Sequence, residues 1–84
     1  MILTDIYVPA VNEKYEFLLD ESAPAGEVTL EIVRILQMKT GGRVHGTDRR
    51  GTFVLCSMEK EQLLDARLTL HECGVRDGSR LLLV

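Results

Sequence analysis

Residues 2–8 read Ile2-Leu3-Thr4-Asp5-Ile6-Tyr7-Val8, and residues 14–19 read Lys14-Tyr15-Glu16-Phe17-Leu18-Leu19. Both stretches alternate with period two and are rich in β-branched or aromatic residues, which predicts two strands. Ile2, Ile6 and Val8 share one face of the first with Thr4; Leu3, Asp5 and Tyr7 share the other. In the second, Tyr15, Phe17 and Leu19 oppose Glu16 and Leu18. Pro9 lacks an N–H and suits a strand end, and Asn12 suits a turn. The pair reads as a hairpin.

Period two then stops at Asp20-Glu21-Ser22-Ala23-Pro24. Ser22 is a candidate helix cap, with Pro24 in the first turn. Val28, Ile32, Ile35 and Leu36 lie on one helical face, Glu27 and Glu31 come early, and Lys39 comes late, as the helix dipole favours. Gly41-Gly42 supplies the stop. Residues 39–51 hold four glycines and read as a mobile loop. The loop carries Lys39, Arg43, Arg49 and Arg50 against one acid, Asp48.

Thr52 to Met58 alternates again, with Val54, Cys56 and Met58 assigned to the helix face and Phe53, Leu55 and Ser57 to the other. Glu59-Lys60-Glu61 is a charged turn, Gln62-Leu63-Leu64 a very short strand, Leu68 to Val75 a short helical turn ending at Gly74, and Ser79 to Val84 a last strand. The order ββαββ in one domain, residues 1–84, gives an α+β class. One helix covers one face of such a sheet and leaves the other to solvent or a partner.

The chain has 84 residues, 45% of them apolar, with a formal net charge of −3 and no Trp. That apolar share excludes a disordered chain, and the negative charge argues against a nucleic-acid partner. No apolar run approaches the ~18 residues of a membrane span, and the opening residues lack the pattern of an export signal. Cys56 and Cys73 allow one disulfide, but without an export signal reduced thiols in the cytoplasm are the preferred reading. His45, His71 and the two cysteines lack zinc spacing. A Cys/His nucleophile pair would lack an orienting Asn or Asp. Gly42 to Thr47 lacks the lysine of a phosphate loop. No catalytic residue, metal or cofactor is expected.

The last third carries a pattern. Gln62-Leu63-Leu64-Asp65, Arg67 to Leu70, Cys73-Gly74-Val75 and Asp77 to Val84 resemble the C-terminal half of ubiquitin. Leu70 to Leu81, the opening Met1 to Pro9 and the segment Tyr15 to Leu19 resemble a bacterial branch, the YukD/EsaB-like ubiquitin-related proteins. The likeness spans nearly all of the chain except the 39–51 loop. It implies a ubiquitin-like β-grasp fold, in which a mixed five-stranded sheet packs on one helix and the first and last strands pair in parallel at the centre. It also implies a non-enzymatic, cytoplasmic accessory or regulatory component of a type VII-like secretion system of Gram-positive bacteria. Such systems export small helical-hairpin (WXG) proteins through a membrane-bound ATPase. A ubiquitin-like subunit or regulatory domain of another multiprotein complex is the alternative, ahead of a sulfur carrier or modifier.

Ubiquitin and the sulfur carriers react at a flexible Gly-Gly tail. Here the last residues, Leu81-Leu82-Leu83-Val84, are strand, and the one Gly-Gly follows the helix, so conjugation is not expected. The expected partner surface is the sheet face away from the helix. Leu3, Leu18, Phe53, Leu55, Leu82 and Val84 are assigned to it, enough apolar surface for a protein partner, either a component of the secretion machine or a second copy.

Overall fold

The computed structural model describes residues 1–42 and 53–84. Among these residues, five strands, β1 (Ile2–Val8), β2 (Glu13–Leu19), β3 (Leu55–Ser57), β4 (Gln62–Leu63) and β5 (Arg80–Leu83), form one sheet beside one helix, α1 (Ala25–Thr40). The strand order is β2-β1-β5-β3-β4. β1 and β5 pair in parallel at the centre, and the other neighbours are antiparallel. The mixed sheet on one helix is the architecture expected.

The hairpin forms as its sequence dictates. Asn12 takes φ 51°, a conformation Asn tolerates, and its side-chain oxygen accepts a 2.7 Å hydrogen bond from the Tyr7 hydroxyl. Ile6, Val8, Leu19, Val28, Ile32, Leu36, Leu81 and Leu83 are all buried between sheet and helix. Thr29 and Thr40 extend the buried helix stripe, and each hydroxyl is satisfied by the carbonyl four residues earlier, at 2.7 Å.

The two helix ends are closed differently. Gly41 takes φ 63° and ends α1 as the glycine pair predicts, while Lys39 and Thr40, assigned to the loop, complete the helix. The rest of the expected loop, residues 43–51, lies outside the described residues. Ser22 is not the N-cap. Pro24 occupies that position and makes no side-chain cap. Instead, two carbonyls far along the chain accept the first helical N–H groups: Ala25 donates to Leu68 at 2.8 Å and Gly26 to Ala66 at 3.0 Å. Distant backbone thus satisfies the orphan donors a cap residue would take. A side chain at Gly26 would press its Cβ to 3.0 Å from the Cβ of Ala66, so glycine permits this approach.

Residues 69–75 are a single turn, not a helix, closed at both ends. Thr69 N–H donates to the Glu72 carboxylate at 2.9 Å, and Glu72 N–H donates to the Thr69 hydroxyl at 3.1 Å. This is a capping box. At the other end Gly74 (φ 82°) donates to His71 and Val75 donates to Leu70, both at 3.0 Å. That is a Schellman closure, with Leu70 and Val75 both buried. A Cβ at Gly74 would strike the Lys60 ammonium, which binds the Cys73 carbonyl at 3.2 Å.

The backbone N–H of Thr69, then its hydroxyl contact, holds the Glu72 carboxyl below the ordinary carboxylate range. A carboxyl whose folded pKa is depressed stabilises the fold above its unfolded value, and that contribution is lost as pH falls through the folded value. Thermal melts at falling pH should therefore show Tm dropping below the normal Glu range. In Glu72→Gln, whose amide keeps the capping hydrogen bond, part of that acid sensitivity should vanish. An unchanged acid profile in the variant would contradict the role given to Glu72.

Candidate interaction surface

On the outer sheet face the pairing register fixes rows of side chains. One row runs Lys14, Tyr7, Leu82, Cys56 and Leu63 across all five strands. Beside it Val54 and Val84 exchange two backbone hydrogen bonds, at 2.8 and 3.0 Å. Leu63 is 66% exposed, while Tyr7, Val54, Cys56, Leu82 and Val84 are half-buried. Strand alternation puts these side chains on one face. They form a continuous apolar area.

The next row is charged. Glu16 faces Asp5, and Asp5 faces Arg80. The Arg80 guanidinium bonds Glu59 at 3.0 Å, and that hydrogen bond first, together with the Arg80 backbone N–H, lowers the Glu59 pKa. Beyond this row Leu3 and Leu18 sit opposite each other, 41% and 63% exposed. At ~3.3 Å per residue, Leu3 lies about 13 Å along β1 from Tyr7, the neighbour of Leu82. The outer face therefore holds two apolar areas split by a charged band.

Of the six residues assigned to this face, Leu3, Leu18, Leu82 and Val84 lie there. Two assignments are corrected. Leu55 is 1% exposed and belongs to the core. Phe53 packs against that core and, with Leu30 and Val33 of α1, lines a groove of about 490 Å³. The cause is strand parity. Leu55 pairs with Leu83 and Ser57 with Leu81, and both leucines point to the helix, so Leu55 and Ser57 do as well. Cys56, Val54 and Met58 accordingly move to the outer face. The sequence offered two apolar sets one residue apart, and Ser57 concealed the buried one. Its hydroxyl is used locally, accepting a 3.2 Å bond from the Lys60 N–H. Leu63 was missed, though Leu64, its buried neighbour, takes the core side.

Among the described residues no group of His, Cys, Asp and Glu could hold a metal ion, and both cysteines are free thiols. No helix among them is long and apolar enough to cross a membrane. The profile of the family described as WXG100 protein secretion system (Wss), protein YukD, matches residues 3–83. The chain belongs to the YukD family.

Solved structures agree with the fold of a YukD protein. The EccD5 ubiquitin-like domain from Mycobacterium xenopi is 26% identical with a TM-score of 0.75, over 99% of this chain and 91% of that one. The ubiquitin-like domain of the Mycobacterium tuberculosis type VII secretion system protein ECCD1 is 21% identical with a TM-score of 0.69, over 100% and 99%. A chain of the MycP5-free ESX-5 inner membrane complex is 23% identical with a TM-score of 0.78, over 99% of this chain. This YukD-family chain spans 20% of that longer one. No curated protein matches.

Proposed function

We propose that this chain is a non-conjugating, non-enzymatic ubiquitin-like interaction module, a cytoplasmic accessory or regulatory component of a WXG100-type secretion system. It engages a protein of the membrane-bound machine through the outer sheet face. The observation that carries this reading is the YukD family match over residues 3–83 on a domain whose outer face keeps a continuous apolar area around Leu82 and Leu63. Likeness to a domain within an inner membrane complex supports a protein partner. Gly41-Gly42 acts as a helix stop, with Gly41 closing α1 in the left-handed conformation.

The test is retention of the secretion membrane complex on the immobilised protein. Leu63→Lys with Leu82→Lys should cut retention at least tenfold while the far-UV circular dichroism stays unchanged, since central apolar anchors dominate interface energies. Full retention by the folded double variant would reject the outer face as the docking surface. Sedimentation of both proteins reads the competing occupant, a second copy: a dimer that the substitutions dissociate would replace the proposed partner. Incubation with an activating enzyme and ATP, followed by mass spectrometry, should show no adenylate or thiocarboxylate.

A further inference from the structure

A second surface lies at the opposite edge of the sheet. β2 is an edge strand, and Glu16 to Leu19 make backbone bonds only to β1 among the described residues. An edge strand of this kind is a template for another strand. Directly beside it, between β2 and α1, runs a groove of about 310 Å³. Its floor is apolar, made by Phe17, Leu19, Val28, Ile32 and Ile35. Its rim is acidic: Asp20 at the strand end, and Glu27 and Glu31 one helical turn apart on α1. No lysine or arginine lines it, and the ammonium of Met1, which does, is paired with Glu21 at 3.1 Å.

We infer that this edge binds an extended basic-apolar peptide segment of a partner protein, added to the sheet as a sixth strand beside β2. Main-chain hydrogen bonds to Glu16–Leu19 would hold the segment, and alternate side chains would enter the groove. The charge of the rim selects the occupant. A lysine lays its aliphatic stem on the floor and carries its ammonium to Glu27 or Glu31, whereas an acidic segment meets the carboxylates of Asp20, Glu27 and Glu31. A second copy is a poor occupant, because its own β2 turns Glu13, which shares the face of Tyr15 and Phe17, toward the same acidic rim. The surface is separate from the outer-face area around Leu82 and Leu63, and the inference does not depend on it.

The test uses two synthetic octapeptides, one alternating Val with Lys and one alternating Val with Glu, titrated into the ¹⁵N-labelled protein. The Val/Lys peptide should shift the amides of Glu16–Leu19 and of Glu27–Ile35. The Val/Glu peptide should bind at least tenfold more weakly. Methylating alternate backbone nitrogens of the Val/Lys peptide should abolish binding in one of the two registers, as strand pairing requires. Glu27→Lys with Glu31→Lys should reverse the preference between the peptides, and Glu27→Gln with Glu31→Gln should remove it with less perturbation of the helix. Equal binding of both peptides, shifts confined to the outer face, or indifference to N-methylation would overturn the inference. A concentration-dependent dimer with β2 amides at the interface would do so as well.

Discussion

Leu55→Lys is expected to unfold the domain. Leu55 is 1% exposed, pairs with Leu83 in the sheet, and receives the N–H of Leu64 on its carbonyl at 2.9 Å. Among the described residues, an ammonium placed there has no buried carboxylate to meet. Leaving a charge buried and unpaired costs about 3–5 kcal/mol, on top of the lost leucine packing. Small domains have total stabilities near the lower end of the ~5–15 kcal/mol range, so the variant should show no cooperative thermal transition and no native circular dichroism at about 25 °C. Leu63→Lys, on the neighbouring strand, should stay within about 0.5 kcal/mol of the parent, as exposed substitutions do. The pair is also a test of strand parity. If Leu55→Lys folds while Cys56→Lys does not, β3 presents its other face to the helix and the outer-face assignment fails with it.

The second large effect is Leu70→Ala. Residues 65–79 contain no regular element, and Leu70 and Val75 anchor them to the core. Leu70 is fully buried, its N–H reaches the Ala23 carbonyl at 3.2 Å, and its own carbonyl closes the Schellman turn. Truncation of a fully buried leucine costs ~2–5 kcal/mol. At about 4–8 °C per kcal/mol for a domain of this size, Tm should fall by at least ~8 °C. The neighbouring Thr69→Ala removes only a cap, worth ~1 kcal/mol, and should move Tm clearly less. Equal shifts in the two variants would mean that the turn, not the buried side chain, anchors the segment. Urea unfolding of both proteins, with m-values compared, checks that the same transition is being read.

The contrast between Leu55 and Leu36 shows what was legible in the sequence. In α1 the helical period places Leu36 with Val28 and Ile32 on one face, and no other assignment buries as much. β1 has Ile6 and Val8 against Asp5 and Leu3, so its core face is unambiguous. β3 is only three residues long, and both of its faces offer apolar side chains. Its parity comes from pairing with β5, a partner far along the chain. Local pattern carries no information about that. The N-terminus of α1 shows the same limit. Ser22 is a sound local cap, yet the helix is closed by carbonyls of Ala66 and Leu68, which no nearby residue announces. The outer face inherits both effects. Leu3 and Leu18 follow from strands whose parity is local, and Arg80 marks the outer face for Leu82 and Val84, whereas Val54, Cys56 and Leu63 needed the register of the whole sheet.

The central position of β5 has a consequence for synthesis of the chain. β5 is the one strand that touches both halves of the sheet, bonding β1 on one side and β3 on the other. It is also the last of the five strands to be made. Until residues 80–83 leave the ribosome, the β1–β2 hairpin and the β3–β4 pair have no shared ladder. The first helical N–H groups likewise wait for Ala66 and Leu68. Such non-local pairing delays folding until the connecting segment is available. The ladder that joins the two halves of the sheet is therefore completed only once residues 80–83 are available.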